Sequence, residues 1–232
     1  MKKSEKCENR GQGFGWQQAL DLVFPLRCTL CGRVLSWFER KGDLGLCRLC
    51  RWQDYQNPQP VSEDEKGRCS LLYEDQLQQA IYHLKYNGRR TNGIYFARWM
   101  MEEGADWMRS QQFDRVTAVP LAKRKLKSRG YNQAEVIARE LGRLSRLPYE
   151  ELLVRTRNTT PQSGLGEEMR RQNLSGAFAA KECRLEPHHI CLVDDIYTTG
   201  STLRESMAVL QQRWPEAKIH YWTLARQISP DF

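Results

Sequence analysis

The sequence lacks three features, each of which would assign the chain to a large class of proteins. No apolar run is long enough to span a bilayer, and charged residues and Pro25 interrupt the N-terminal stretch where a secretory signal needs an unbroken apolar region. No G-x-x-x-x-G-K-S/T loop is present, which excludes a Walker-type nucleotide site. No internal repeat is visible beyond a doubled cysteine pair. We therefore expect a cytoplasmic protein without a membrane span.

The length and the charge of the chain narrow the remaining classes. A chain of 232 residues with 40% hydrophobic residues is long enough for one α/β domain plus a small appendage. The formal net charge is +8, from 36 basic and 28 acidic residues. Such a balance favours an anionic partner, which can be a nucleic acid or a phosphorylated small molecule.

Four of the eight cysteines follow the pattern C-x2-C-x15-C-x2-C, at Cys28, Cys31, Cys47 and Cys50. In a reducing cytosol this spacing favours a metal site over disulfides. Four thiolates complete a tetrahedral shell and leave no position for water, so the pattern predicts a structural zinc ion. An iron–sulfur cluster, which four cysteines also ligate, and four unrelated buried cysteines are the alternatives.

Composition divides the chain into four segments. Residues 1–15 are polar and predict a flexible tail, and residues 16–52 contain the cysteines and predict a four-cysteine zinc-ribbon domain. Residues 53–67 are polar, contain two prolines and predict a linker. Residues 68–232 form the larger domain.

Within this larger domain, short apolar stretches alternate with amphipathic ones. Helices are predicted at 76–85, 93–109, 132–144 and 201–214, the third with a capping pair of Asn132 and Glu135. Strands are predicted at 116–120, 152–157, 177–180, 190–193 and 218–225. Because strands separated by helices form crossovers, we expect an α/β fold with a mostly parallel five-stranded sheet flanked by helices.

The stretch ICLVDDIYTTGST, residues 190–202, combines a strand, two acids and a hydroxyl-rich turn into a helix. At a helix start, free amides and the dipole bind anions, and Gly200 allows a close approach of the backbone. Asp194 and Asp195, at the carboxyl end of a parallel strand, can accept hydrogen bonds from hydroxyl groups. Helix capping alone is the simpler alternative. The motif predicts a ligand that carries both hydroxyls and a phosphate.

The segment VDDIYTTGST resembles the phosphoribosyl pyrophosphate (PRPP) motif of type I phosphoribosyltransferases. More narrowly, the chain resembles the ComF family, which includes ComFC-like and GntX-like proteins. The resemblance rests on the four-cysteine segment and on KYNG at 85–88, VPL at 119–121, RGYNQ at 129–133, TPQ at 160–162 and RRQNLSGAF at 170–178. Ala122 departs from the family pattern, in which histidine is frequent at this position, so no role of that histidine is carried over.

This resemblance implies a type I phosphoribosyltransferase fold, PRPP as ligand, magnesium as its cofactor and a transferase whose acceptor is unknown. It places Asp194 and Asp195 at the ribose hydroxyls as the catalytic pair. It places the 5′-phosphate at Thr198, Thr199, Gly200, Ser201 and Thr202. The pyrophosphate would face Arg124 and Lys123, and the loop at 159–171 would cover the site.

The basic residues before Gly130 number more than one diphosphate requires. The resemblance implies a role in natural competence, so the alternative function is a non-catalytic module that binds single-stranded DNA and works with a ComFA-type helicase. The possible DNA or loop contacts are Lys125, Lys127, Arg129 and Tyr131. Further aromatic platforms would be Trp37, Phe38 and Trp52, although such residues are more often core.

Two other basic features have two interpretations each. Arg139, Arg143 and Arg146 share one helix face, which is either a solvated surface or part of a binding track. Lys85, near a helix end and before Asn-Gly, is either a C-terminal helix residue or a phosphate ligand.

Overall fold

A computed structural model describes residues 25–40, 44–54, 61–157 and 176–228. The four-cysteine segment carries two short helices, α1 (Trp37–Arg40) and α2 (Arg48–Asp54). The following elements are β1 (Ser62–Asp64), β2 (Gly67–Leu72), α3 (Asp75–Tyr86), α4 (Arg90–Ser110), β3 (Arg115–Ala118), α5 (Lys123–Arg129), α6 (Gln133–Ser145), β4 (Leu153–Arg155), β5 (Phe178–Ala180), β6 (His189–Tyr197), α7 (Ser201–Arg213) and β7 (Lys218–Arg226). The predicted tail at 1–15 and the predicted covering loop at 159–171 lie outside the described residues.

The main sheet has five strands in the order β1-β2-β7-β6-β3. The neighbours of β6 and β7 all pair in parallel, and β1 pairs antiparallel with β2 at one edge. Helices pack against this sheet, which confirms the predicted α/β architecture with a mostly parallel five-stranded sheet.

The membership of the sheet differs from the prediction. The predicted strands at 152–157 and 177–180 form β4 and β5, which pair antiparallel in a separate two-stranded sheet. The main sheet instead contains β1, which falls inside the predicted linker at 53–67, and β2. A three-residue edge strand of sequence Ser-Glu-Asp has no apolar alternation, so its pattern could not be told from a linker.

The strand β6 is buried on both faces over its first five residues, as expected of a central parallel strand. Its side chains alternate between two separate cores. Cys191 and Val193 pack in the core that contains the helix residues Leu84 and Ile137. Ile190 and Leu192 pack in the other core, with Leu203 and Leu210 of α7 among others. This alternation determines on which face each of the following acids lies.

The four-cysteine segment packs against α3 and α4. Leu30 and Leu46 are buried in the same core as Leu77 and Trp99, and the Trp99 indole N–H donates to the Leu44 carbonyl at 2.9 Å. Gly45 has a left-handed φ of +63°, and a Cβ there would lie 2.5 Å from the ring of Tyr95. The absence of a side chain at Gly45 therefore permits the close approach of this segment to α4.

The longest helix, α4, is interrupted by a non-helical residue, Gly104, with φ −115°. The ring of the buried Trp222 lies against Gly104, where any Cβ would collide with it. Helix α4 thus bends around the centre of the sheet. None of the helices in the described parts of the chain has both the length and the apolar character needed to cross a membrane.

Candidate functional site

The four cysteines predicted to bind a metal converge in space. The Sγ atoms of Cys28, Cys31, Cys47 and Cys50 all lie within 4.8 Å of one another. The Cys31 and Cys47 sulfurs are 3.7 Å apart. Sulfur atoms at ~2.3 Å from one tetrahedral zinc ion lie about 3.8 Å apart, so the arrangement fits a single zinc ion. A cluster of several iron atoms would separate the sulfurs further, because the cluster itself lies between them.

Groups around the cysteines hold them in this arrangement. The backbone N–H of Cys47 donates to the Cys28 sulfur at 3.3 Å, and the Cys50 thiol lies 3.5 Å from the Gln76 side-chain oxygen. Because Gln76 belongs to α3, the cysteine site is tied to the first turns of that helix. The four thiols supply all four ligands of a tetrahedral metal ion, which fits a structural and not a catalytic metal.

The acid pair lies inside β6 and not after it. The predicted strand ended at Val193, but β6 continues through Asp194 and Asp195 to Tyr197, in register with β7. On its other side β6 pairs with β3 only as far as Val193, whose carbonyl accepts from the Val119 N–H at 2.9 Å. Pairing with β7 thus continues the strand, while the pairing with β3 ends just before the two acids.

The two acids lie on opposite faces of the sheet, because successive side chains in a strand alternate. Asp195 continues the face of Val193, and its Oδ2 lies 2.8 Å from Nζ of Lys85 at the end of α3. Asp194 continues the face of Leu192, toward Arg155 of β4. The backbone N–H of Asp195 donates to Oδ1 of Asp194 at 2.9 Å. The pair therefore presents one carboxylate to each side of the strand end.

The two carboxyl groups are electrostatically unequal. Burial raises the pKa of Asp194 well above its usual range, and the negative charge of Asp195 raises it further. Burial also acts to raise the pKa of Asp195, but the adjacent Lys85 ammonium and the charge of Arg129 outweigh it, so the pKa of Asp195 is lowered. Asp195 is the stable anion of the pair, and Asp194 accepts a proton more readily.

Several cations surround the acid pair. Desolvation, together with the charges of Arg129 and Arg155, lowers the pKa of the Lys125 amine. The charge of Lys85 lowers this pKa further. Burial lowers the pKa of Arg155, and the charge of Asp194 partly offsets this effect. Lys85, Arg129 and Arg155 thus act on the two acids, and Lys125 lies in the positive potential of these three cations. We call these four residues the cation group.

Sequence reasoning found only part of the cation group. Arg155 was not predicted, because an arginine in a short predicted strand gives no sign of which residues it will face. Lys85 was assigned to a helix end or to a phosphate, and its ion pair with Asp195 was not foreseen. Lys123 and Arg124, predicted at the pyrophosphate, are exposed in the first turn of α5, a helix that was itself not predicted. Their contact with a ligand stays a prediction.

The hydroxyl-rich turn forms the start of α7, as predicted. Gly200 has a left-handed φ of +72°, and a Cβ there would lie 2.5 Å from the Tyr197 hydroxyl. The Arg204 N–H is the first to bond within the helix, to the Gly200 carbonyl at 2.8 Å, since the first amides of a helix have no intrahelical acceptor. Of these amides, the Ser201 N–H donates to Oγ1 of Thr199 at 3.5 Å. Thr199 and Ser201 join their hydroxyl groups at 2.8 Å, and Thr198 is exposed. Thr202 follows Ser201 in the first turn of α7.

The residues at the end of α5 and the start of α6 position the site. Arg129 donates to the Gln133 side-chain oxygen at 2.9 Å and to the Tyr86 hydroxyl at 3.1 Å. The Tyr131 hydroxyl donates to the Leu84 carbonyl, which ties this segment to α3. Asn132 occupies the predicted N-cap position of α6, but its side chain makes no capping hydrogen bond, since the side-chain amide donates to the Val119 carbonyl at 2.9 Å. The loop after β3 is thereby fixed.

The aromatic and basic surface differs from the prediction. Tyr131 is partly buried, and the side chains of Trp37 and Trp52 lie outside the described residues. Phe38 is exposed, and so are Tyr82 and Tyr86 of α3, whose rings lie 4.9 Å apart. Lys127 is exposed in α5. Arg139 and Arg143 pair with Glu135 and Glu140 within α6, which favours a solvated helix face.

Comparison with curated proteins places the chain in a family. It is 33% identical over 232 residues to the DNA utilization protein YhgH of Escherichia coli O157:H7, an alignment that covers 89% of this chain and 100% of the relative. The chain belongs to the ComF family. This ComF-family protein is also 33% identical to competence protein F of Haemophilus influenzae, over 66% of this chain and 69% of the relative. It is 26% identical to competence protein ComFC of Bacillus subtilis, over 86% and 77%. No protein-family model matches the chain.

Solved structures give weaker similarities. The glutamine PRPP amidotransferase from B. subtilis matches with a TM-score of 0.36 and 21% identity, over 59% of this chain and 26% of the amidotransferase. A hypoxanthine phosphoribosyltransferase from Staphylococcus aureus matches with a TM-score of 0.32 and 14% identity, over 62% and 76%. At these TM-scores, the assignment of this ComF-family protein rests on its curated relatives and on its own sheet.

Proposed function

We propose that this ComF-family protein binds PRPP at the carboxyl end of β6 and transfers its phosphoribosyl group to an acceptor. The observation that carries this proposal is that an acid pair, a helix start and cations from other segments act at one end of β6. Two partly buried acids and the start of α7 lie within residues 194–202, Lys85 lies 2.8 Å from Asp195, and the charges of Arg129 and Arg155 act on the acids. The ligands that match this combination carry hydroxyls, a phosphate and a second anionic group.

The ribose and its 5′-phosphate would occupy the side of α7. The ribose would lie across the edge of β6 that β3 leaves unpaired beyond Val193, where Asp194 from one face and Asp195 from the other would each accept a hydrogen bond from a ribose hydroxyl. The amides that precede Arg204, together with the hydroxyls of Thr198 to Thr202, would donate to the 5′-phosphate. The left-handed φ of Gly200 supports this assignment, because it lets the chain turn directly from the acids into the start of α7.

The pyrophosphate would lie toward the cation group. Transfer breaks the bond between C1 and the pyrophosphate oxygen and forms a bond from C1 to the acceptor, whose proton passes to solvent or to the departing phosphate. Since charge builds up on the leaving pyrophosphate, preorganised cations such as Lys125 and Arg129 would lower the barrier electrostatically. Lys123 and Arg124 would extend this surface along α5.

Magnesium fits the donor set of the site. Asp194 and Asp195 offer carboxylate oxygens, which are the ligands that Mg²⁺ prefers together with phosphate and water. When bound, the ion would neutralise phosphate charge. The protein's own contribution would be to orient the ribose and to hold the two anionic groups of the ligand apart.

Calorimetric titration of PRPP with Mg²⁺ tests the proposal. The double variant Asp194→Asn with Asp195→Asn should lower PRPP affinity by about 100-fold or more, because two hydrogen-bonded charged contacts are lost. A matched control is Glu102→Gln with Asp106→Asn, which removes two exposed acids from α4. Equal PRPP affinity in both double variants would contradict the proposal, and unfolding curves would show that each variant is folded.

A second candidate function is the binding of single-stranded DNA, in DNA uptake beside a ComFA-type helicase. The names of the relatives, DNA utilization protein and competence protein, support it. The exposed pair of Tyr82 and Tyr86 also supports it. Arg129 of α5 lies over the Tyr86 ring at 4.9 Å, and α5 also carries the exposed Lys125 and Lys127. Aromatic rings beside cations form the usual surface for single strands.

Fluorescence anisotropy with a labelled single-stranded oligonucleotide tests this function. Lys125→Glu with Lys127→Glu should weaken binding steeply and reduce its dependence on salt. Tyr82→Leu with Tyr86→Leu should weaken binding at every salt concentration, because stacking is lost. If neither pair of substitutions changes the affinity, α5 and the tyrosine pair do not form the DNA surface.

A further inference from the structure

The ion pair between Lys85 and Asp195 carries a further inference, which rests on the proposed function. We propose that Lys85 and a divalent cation compete for Asp195, so that Lys85 keeps metal off the acid pair until a phosphorylated ligand draws its ammonium group away. Lys85 would then be a positioning residue that couples the binding of metal to the binding of ligand.

The geometry of the pair supports competition. Nζ of Lys85 lies 2.8 Å from Oδ2 of Asp195, and the two side chains are only 19% and 16% exposed. A divalent cation bound to the same oxygen would lie at ~2.1 Å from it, within the space beside the ammonium group. Two cations this close repel strongly where little water screens them. A metal ion on this oxygen can therefore bind well only if Lys85 moves.

The position of Lys85 would allow its ammonium group to contact a bound phosphate in place of Asp195. Lys85 lies in the last turn of α3, next to Tyr86, which accepts a hydrogen bond from Arg129. Lys85 also contributes to the potential at Lys125, so it lies in the same positive region as the cations that would face pyrophosphate. A phosphate group bound there would offer Lys85 an anion in exchange for Asp195.

The inference predicts opposite effects of Lys85 on metal and on ligand. Removal of the ammonium group should strengthen the binding of a divalent cation alone, because its competitor is gone. The same change should weaken the binding of PRPP in metal-free solution, because one phosphate contact is lost. A residue with only a structural role would not change the two affinities in opposite directions.

Binding of Mn²⁺ alone, measured by electron paramagnetic resonance on zinc-loaded protein, tests the first effect. Lys85→Gln should raise Mn²⁺ affinity about tenfold or more, while Lys85→Arg, which keeps the charge, should stay within about twofold of the unsubstituted protein. Lys125→Gln removes the same charge from the same region without touching Asp195 and should raise Mn²⁺ affinity only about twofold. Asp194→Asn with Asp195→Asn should abolish this binding.

Three outcomes would overturn the inference. These are an unchanged Mn²⁺ affinity in Lys85→Gln, an equal gain in Lys85→Gln and Lys125→Gln, and Mn²⁺ binding that survives the loss of both acids. Calorimetry without metal tests the second effect, where Lys85→Gln should lower PRPP affinity about threefold or more and Lys85→Arg should not. Absence of any PRPP binding by the unsubstituted protein would refute the proposed function, while the Mn²⁺ comparison would still decide the role of Lys85.

Discussion

The four-cysteine site and the acid pair meet the same electrostatic problem in different ways. In both sites, groups that carry negative charge when ionised are held close together, within 4.8 Å for the four sulfurs and on adjacent residues for the two acids. A metal ion would relieve the repulsion in the first site. In the second, the chain supplies its own counter-charge, Lys85, at 2.8 Å from Asp195. A permanently bound metal suits a site that is part of the fold, and an internal counter-charge suits a site that binds and releases a ligand.

The largest expected effect comes from breaking the four-cysteine site. Cys47→Ser should abolish stoichiometric zinc binding and lower the free energy of unfolding by roughly 3–5 kcal/mol, because the binding free energy of a structural metal is also folding free energy. Metal analysis and urea denaturation measure the two quantities. The segment shares its core with α3 and α4, so we expect loss of the metal to affect those helices too.

Cys183→Ser is the matched control for this prediction. Cys183 is partly buried and lies outside the cysteine cluster, so its replacement should leave the zinc content at one ion per chain. If Cys47→Ser retains the full zinc content, the convergence of the four sulfurs does not reflect a metal site. If the purified protein holds iron in place of zinc, the four thiolates bind a redox-active metal and the contrast with the acid pair concerns redox chemistry as well.

A substitution of intermediate effect tests whether the backbone conformation before α7 determines the acid-pair site, as the cysteine spacing determines the metal site. Gly200→Ala places a side chain at φ +72° and at 2.5 Å from the Tyr197 hydroxyl. We expect a loss of about 2 kcal/mol in the free energy of unfolding, from the left-handed backbone and from the crowding together. PRPP affinity, measured by calorimetry, should fall as well, since the turn must change shape.

Gly130→Ala separates the two contributions. Gly130 has a similar φ of +78°, but no atom lies within 4 Å of the position of an added Cβ. This control should cost only about 1 kcal/mol, from the backbone conformation alone. Equal losses for Gly130→Ala and Gly200→Ala would mean that Tyr197 yields freely, and that the turn is less rigid than its packing indicates.

The convergence of the four sulfurs and the turn into α7 could be predicted from the sequence because both are encoded by neighbouring residues. Paired C-x2-C motifs determine which sulfurs converge, and a hydroxyl-rich turn with a glycine determines the start of α7. Both signals are local, so they do not depend on knowing which strands are neighbours in the sheet.

The features that sequence reasoning missed depend on contacts between distant segments. The strand β2 contains Arg68, which is buried only because Glu103 of α4 neutralises it and Trp107 packs beside it. Arg155 faces Asp194 from a separate small sheet, and β6 extends past Val193 because β7 continues beside it. None of these partners follows from the residues near them, so periodicity alone assigned β1 to a linker and gave Arg155 no role.

The smallest expected effect is the most informative for this comparison, because the free energy of unfolding should change in the opposite direction. Asp194→Asn should raise the free energy of unfolding by about 0.5–1 kcal/mol, whereas loss of a cysteine lowers it. Asn keeps an oxygen that can accept from the Asp195 N–H, as Oδ1 does now at 2.9 Å, and it removes a charge that is partly buried beside a second acid. Loss of the attraction to Arg155 offsets part of this gain.

Asp195→Asn provides the opposite case, because it leaves the Lys85 ammonium without its carboxylate in a site that is largely shielded from water. We expect this variant to lose about 1 kcal/mol, since an unpaired charge in such a place costs more than the pair contributes. Urea denaturation at a pH near 8, where both acids of the unfolded chain are ionised, compares the two variants directly. Equal and negative changes would show that the acids are equivalent. Opposite signs would mean that Asp195 stabilises the fold, whereas Asp194 destabilises it. A role in ligand binding would then explain why Asp194 is retained.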